Sequence, residues 1–261
     1  LNKVDEYADF ASTIPGGTNF DVNERDSLTY VAAERVYMRG ETADARNSFI
    51  RYLQTFPEGA FSLNANYYIG LIDYNQQNYA SAAPYLNKVL EYPNNKYSEE
   101  AMMMSAEIAY IAKDYAQSLE WYKLLKDRAS TPERRQIAAT GMLRSAAMSG
   151  NGEETILAAT AVLADAKVAP ELESEARHYR SKALVEANQL THAVADWETL
   201  AKDTRNVYGA EAKYRLAQYL FDSGKTKEAE KEVLNYLEVS TPHAYWLARS
   251  FVLLSDIYAK L

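Results

Sequence analysis

FSLNANYYIGLIDYNQQNYASAAPYLNKVLEYP, Phe61 to Pro93, reads as two amphipathic helices joined by one turn. Ala65, Ile69 and Ile72 share a face of the first helix, and Ala82, Leu86, Val89 and Leu90 share a face of the second. Asn75-Gln76-Gln77-Asn78 is the polar break between them. Neither helix buries its apolar face alone, so the pair requires neighbours of the same kind.

Working outward, the pattern recurs. Helices over Asp26 to Arg39 and Thr42 to Phe56, with a turn at Gly40, precede the central pair. After it come Ser98 to Ala112 with Ala116 to Lys126, Pro132 to Met148 with Glu153 to Ala164, Pro170 to Glu186 with Thr191 to Ala201, and Ala210 to Asp222 with Lys225 to Leu237. The expected organisation is an N-terminal helix and linker at 1–24, six helical hairpins at 25–243, and a lone capping helix, a truncated seventh repeat, at 244–261. Ile14-Pro15-Gly16-Gly17 ends the first helix, whose face is Leu1, Val4, Ala8 and Ala11. After a linker from Thr18 to Glu24, Asn23 is the expected cap of the next helix.

Proline spacing supports the count: 36 residues from Pro57 to Pro93, 39 to Pro132, 38 to Pro170 and 72 to Pro242. Proline suits a first helical turn and cannot continue a helix, so it marks the corners between hairpins. Glu58, Glu133 and Glu171 follow where a helix dipole favours acids. Pro84 breaks the rule, and predicts an irregularity or a later start for its helix. In the last helix Leu247, Phe251, Leu254 and Tyr258 are the face expected to pack on the sixth hairpin.

Composition excludes several function classes. A hydrophobic share of 48% with 25% charged residues describes a folded protein. A net charge of −8 and no basic stripe argue against binding a phosphate backbone. Without cysteine there are no disulfides, thiolate nucleophiles or cysteine metal sites. No apolar run approaches the roughly 18 residues of a membrane span. A chain that begins at Leu1 without Met and ends at Leu261 inside a helical pattern reads as a piece of something longer.

The unit Asn66 to Pro93 resembles the tetratricopeptide repeat in Ile69-Gly70, Tyr79, Ala82 and Pro93. A small residue follows each turn at Ala45, Ala82, Ser118, Thr155, Ala193 and Ala229, with a bulky one four later at Phe49, Leu86, Tyr122, Trp197 and Val233; Ala159 is the exception. The small first-helix position is Ala33, Gly70, Ala106 and Ala217, and its displacement onto Leu143 and Ser181 reads as a shifted register in units four and five. The resemblance implies an all-α, right-handed superhelix of antiparallel helix pairs, with first helices lining a concave surface. The corner YLQTFPEGAFSLNANYYIG, Tyr52 to Gly70, also resembles corners of bacterial envelope proteins: the periplasmic coordinator of the Tol-Pal system and the outer-membrane-protein assembly lipoproteins. That likeness implies a periplasmic or outer-membrane-associated protein, with the cytoplasm as the alternative.

Chemistry is sparse. Glu175 with His178, and His192 with Asp196, have helix-face spacing suited to a metal or an acid-base pair, but this is also how surface neighbours on a helix are spaced; His243 stands apart. The acidic clusters Glu99-Glu100, Glu153-Glu154 and Glu171 to Glu175 open helices, where the dipole accounts for them. No catalytic set, cofactor motif or metal-ligand set emerges, so a non-enzyme is expected. The feature with content is the 21 tyrosines. The resemblance places Tyr30, Tyr37, Tyr67, Tyr74, Met103, Tyr110, Tyr214 and Phe221 at groove-facing positions, among polar Glu34, Asn75, Glu107, Lys182 and Gln218. Such a track suits recognition of a protein or peptide partner, although aromatic residues also pack helices together. The expected function is a non-catalytic interaction scaffold; the alternatives are the solenoid arm of a multidomain cell-wall enzyme and a self-associating repeat protein.

Overall fold

The computed structural model describes residues 4–15, 20–92, 94–239 and 241–261, which hold fourteen α-helices and no strand. Leu1, Gly16, Gly17, Thr18 and Pro93 lie outside the described residues. The helices fall into two compact units, Leu1–Ser130 and Thr131–Leu261.

In the first unit α1 (Val4–Thr13) packs on α2 (Val22–Met38), and three hairpins follow: α2 with α3 (Thr42–Thr55), α4 (Ser62–Asn75) with α5 (Tyr79–Leu90), and α6 (Ser98–Ile111) with α7 (Tyr115–Arg128). In the second, α8 (Pro132–Ser149) pairs with α9 (Gly152–Leu163), α10 (Pro170–Glu186) with α11 (Leu190–Leu200), and α12 (Val207–Asp222) with α13 (Thr226–Glu238). The last helix, α14 (Ala244–Lys260), packs on α12 and α13.

Each hairpin turns through one left-handed residue: Gly40, Gln77, Lys113, Gly150, Asn188 and Gly224, with φ between 58° and 79°. In five of the six turns the next N–H reaches back to the first helix, as Asn78 to the Asp73 carbonyl at 2.8 Å and Asp114 to that of Ala109 at 2.9 Å. These bonds satisfy carbonyls that a helix end would otherwise orphan. A lysine at φ 63° is strained for want of room around Cβ. Lys113→Gly is therefore expected to stabilise the fold by about 0.5–1 kcal/mol, net of glycine's extra unfolded-state entropy, read as a higher urea midpoint.

Counting from these turns removes the apparent shift in units four and five. In all six hairpins the small first-helix position lies twelve residues before the post-turn one: Ala33 and Ala45, Gly70 and Ala82, Ala106 and Ser118, Leu143 and Thr155, Ser181 and Ala193, Ala217 and Ala229. All twelve residues are buried. The fourth hairpin exchanges bulk across the pair instead of sliding. A Cβ on Gly70 would lie 2.8 Å from Leu86 Cδ2, so a small residue on the first helix faces a large one on the second. In the fourth hairpin Leu143 takes the first-helix place and Ala159 the second, both fully buried in one cluster. Total volume is kept, which is what close packing requires.

The corner from Tyr52 to Gly70 is organised by a buried acid. The Tyr52 hydroxyl donates to Asp26 Oδ1 at 2.5 Å and accepts the Phe61 N–H at 3.0 Å, while Asp26 Oδ2 accepts the Ala60 N–H at 2.8 Å. Corner backbone and α2 are thus joined through groups that burial would make costly to leave unpaired.

Four local expectations are corrected. The cap of α2 is Asp21, not Asn23: its side chain accepts the Glu24 N–H while Glu24 accepts the Asp21 N–H, a reciprocal box that fixes the start at Val22. Of the two outcomes expected at Pro84 the later start is not found: the helix begins at Tyr79 and runs through the proline, and the irregularity is one missing bond. The carbonyl left without its helical donor is that of Ala80, an exposed residue open to water. Glu58 stands in the corner before α4, outside the helix. On α14 the packed face is Trp246, Ser250, Leu253 and Ile257, with Leu254 at its edge, whereas Phe251 and Tyr258 are 54% and 53% exposed.

Candidate functional site

With the register fixed, the groove positions are readable in every hairpin. Tyr30, Tyr67, Met103, Thr140, His178 and Tyr214 are equivalent; seven residues on stand Tyr37, Tyr74, Tyr110, Ala147, Val185 and Phe221, three residues before each left-handed turn residue. Polar Glu34, Glu107, Arg144, Lys182 and Gln218 lie four after the first set, where the second hairpin has Leu71; Asn75 is the last residue of α4.

The two sets behave differently. Tyr30, Tyr67 and Tyr214 are only 2%, 6% and 5% exposed, and their rings pack between helices. Their hydroxyls meet the polar positions: Tyr30 donates to Glu34 at 2.7 Å and accepts from Asn64 at 3.3 Å, and Tyr214 donates to Gln218 at 3.0 Å and accepts from Arg249 at 3.0 Å. Met103, Tyr37, Tyr74, Tyr110 and Phe221 are partly exposed. Tyr74 donates to Glu107 on the following first helix and sets its ring edge-on to Tyr79, 5.8 Å away; Tyr110 meets Tyr115 in the same way at 5.2 Å. Burial, and then Glu100 for Tyr67 and Glu107 for Tyr74, hold these two phenols above their ordinary range, and burial pushes Tyr68 up to about 12.

In the second unit a cleft of about 460 Å³ lies between α10 and α12. Trp197, Leu200 and Tyr219 contribute apolar wall, and Lys182, Arg215, Glu186 and Asp222 stand around it. Its α10 wall includes His178, Lys182 and Val185, the fifth hairpin's counterparts of the candidate groove residues. The sequence reading pairs His178 with Glu175 and does not single out Val185; equal spacing from Asn188 is the signal that places both at these positions.

His178 stacks on Tyr208 with ring centres 4.4 Å apart, and its Nδ1 lies 3.7 Å from Glu211. Burial lowers its pKa from the ordinary 6.5; Glu211 and Glu175 oppose this, and Lys182 and Arg215 reinforce it. The folded state thus binds fewer protons than the unfolded one. The stability this contributes is complete above the unfolded value and is lost as pH falls through the lower folded one. Urea midpoints are expected to drop more steeply below pH 6.5 in the parent protein than in His178→Gln; parallel profiles would contradict the burial argument.

The other candidate pairs resolve into structural contacts. Glu175 receives both arms of Arg144 at 2.8 Å, Asp196 is held by Arg177 and Arg180, and His243 Nε2 lies 2.8 Å from the Arg205 carbonyl. Glu99, Glu100, Glu133, Glu153, Glu154 and Glu171 occupy first helical turns. Among the described residues no group of three His, Cys, Asp or Glu side chains is placed to hold a metal ion, and no helix is long and apolar enough to cross a membrane.

Comparison with known proteins bears on the fold. A chain in the structure of Naa15/Naa10 bound to HypK-THB superposes with a TM-score of 0.63 at 18% identity; the match covers 89% of the present chain and 34% of that one. The chain therefore spans about a third of that relative's length. A tetratricopeptide repeat protein from Parabacteroides merdae aligns over 98% of this chain and 90% of its own, at 12% identity and a TM-score of 0.42. No curated protein matches in sequence. The family model for the tetratricopeptide repeat matches residues 30–98, 67–132 and 180–245, well over half of the sequence, and the chain belongs to that family.

Proposed function

We propose that this chain is a non-catalytic scaffold that holds a polypeptide partner along the groove positions of its first helices, and that it works in the bacterial cell envelope. The observation that carries the scaffold reading is the cleft between α10 and α12, which is built from groove positions of the repeat and combines apolar wall with a charged rim. That combination is what a partner's anchoring side chains require. The partly exposed Tyr37, Tyr74, Met103, Tyr110 and Phe221 extend the candidate surface onto other first helices. The structural relative is itself an assembly of Naa15/Naa10 with HypK-THB, in keeping with an interaction role for this repeat architecture. The envelope assignment rests on the likeness of the corner Tyr52 to Gly70 to envelope proteins, and cell fractionation tests it separately.

A photo-crosslinking residue at Lys182 in the groove, and another at Gln117 on an exposed second-helix face, test the scaffold reading. Capture of one defined polypeptide at Lys182 and not at Gln117, reproduced with the purified partner, is the expected result. Equal capture at both positions, or only copies of the same chain, would overturn it.

A further inference from the structure

We propose that the cleft between α10 and α12 is the receptor for a single aromatic side chain, preferentially tyrosine, supplied by the partner. This deepens the scaffold reading and rests on it. The argument is one of replacement within the repeat. At the position three residues before the turn, four of the six hairpins carry Tyr37, Tyr74, Tyr110 and Phe221. The fourth carries Ala147, and the fifth carries Val185, 36% exposed on the wall of the cleft. A branched three-carbon side chain stands where equivalent hairpins place a ring, and the cleft beside it has ample room for one. Its volume of about 460 Å³ lies within the range of about 300–1,000 Å³ typical of ligand sites.

The surroundings of the missing ring are also in place. Tyr74 rests edge-on against Tyr79 at the start of the second helix, and its hydroxyl reaches Glu107 on the next first helix. The residues equivalent to Tyr79 and Glu107 in the fifth hairpin and its neighbour are Leu190 and Gln218, and both line the cleft. Leu190 is 38% exposed and offers an apolar wall. Gln218 accepts from Tyr214 through Oε1 and donates to Asp222 at 2.9 Å through Nε2. An amide nitrogen has two N–H groups, so one remains for an incoming phenol oxygen. A tyrosine ring combines large contact area with a polar tip, which matches an apolar slot ending in an amide.

The test uses the full 261-residue chain with labelled Val and Leu methyl groups. It is titrated by NMR with the capped amino-acid amides of tyrosine, phenylalanine and leucine. Saturable shifts confined to Val185, Leu190 and Leu200, the labelled residues that line the cleft, are expected, strongest for tyrosine, with phenylalanine weaker by about fivefold, the worth of one neutral hydrogen bond. Gln218→Leu should erase the difference between tyrosine and phenylalanine. Val185→Tyr should abolish the shifts at Leu190 while keeping or raising the melting temperature, because it installs the ring that other hairpins carry. Leu190→Asp, at an exposed first helical position, is a second way to spoil the slot. Absent or unsaturable shifts, or leucine binding as well as tyrosine, would overturn the proposal.

Crosslinking at Lys182 in the Val185→Tyr background separates the two readings. Capture that persists unchanged overturns the aromatic receptor and leaves the scaffold standing. Saturable tyrosine binding with no polypeptide captured in the parent protein overturns the scaffold and leaves the receptor. A tenfold or larger loss of capture supports both.

Discussion

Gly209→Ala is expected to destabilise the second unit by an amount on the order of 5 kcal/mol, which is exceptional for one methyl group. Gly209 is buried as the third residue of α12. A Cβ there would lie 2.6 Å from the Leu200 carbonyl oxygen and 2.8 Å from the Asp203 carbonyl carbon, and closer still to the Asp203 oxygen. These are backbone atoms that cannot rotate aside. The Leu200 carbonyl accepts the Asp203 N–H at 3.2 Å and the Asp203 carbonyl accepts the Asn206 N–H at 3.3 Å, while the Asn206 side chain caps α12. Relief of the clash must therefore break the turn or lift α12 away from α11. Hydrogen exchange should show protection lost first in α11 and α12, with a large fall in the urea midpoint. Gly152→Ala is the control: its Cβ would find only Ala183 Cβ at 4.0 Å, so unchanged or slightly improved stability is expected. A Gly209→Ala midpoint equal to that of the control would refute the close approach.

Gly209 also shows where sequence reasoning reaches its limit. The hairpins, their turns and their corners were legible because glycine, proline and helical periodicity act locally, and Pro132 and Pro170 do open α8 and α10. The expected start of α12 at Ala210 missed Gly209, because nothing nearby in sequence reveals which backbone will lie against a glycine. The same holds for α14. Leu247, Phe251, Leu254 and Tyr258 form as good an apolar stripe as the one that packs, and only the shape of α12 and α13 chooses Leu253 and Ile257. In the fourth hairpin the pattern is carried by two residues jointly. Leu143 and Ala159 each break the pattern alone and satisfy it together, since the space between two helices constrains summed volume rather than either side chain. For the candidate groove, periodicity could place Tyr30, Tyr67 and Tyr214 on the right helices, but their depth depends on the neighbouring hairpin, which buries the rings and leaves the hydroxyls to bond.

Asp196→Ala is expected to cost about 4 kcal/mol. Asp196 is fully buried in α11, and its carboxylate receives Arg180 through two bonds, Nε at 2.8 Å and Nη2 at 2.7 Å, and Arg177 Nη1 at 3.1 Å. The hydrogen bonds to Asp196 raise the Arg180 guanidinium above its ordinary value. Arg180 Nη1 also touches Thr160 on α9 at 3.3 Å, so one acid organises contacts from three helices. Both arginines retain some exposure, 22% and 23% of their side chains, but truncating the acid leaves Arg180 without its counter-charge beside Arg177, which keeps only Glu173. Asp196→Asn is not a rescue, because half of the amide presents N–H groups to guanidinium donors. Replacing Asp196 and Arg180 together with leucine should recover a large part of the loss, since the penalty lies in the unpaired charge more than in the absence of the pair. Arg177 keeps its second acceptor, Glu173, at 2.9 Å and so tolerates the exchange. Raising salt should change the Asp196→Ala effect little, because buried pairs are weakly screened. By contrast, Arg205 and Asp203 form a solvent-exposed pair whose removal should leave the midpoint unchanged at any salt. A double variant no more stable than Asp196→Ala would show that the carboxylate holds α9, α10 and α11 through geometry rather than charge.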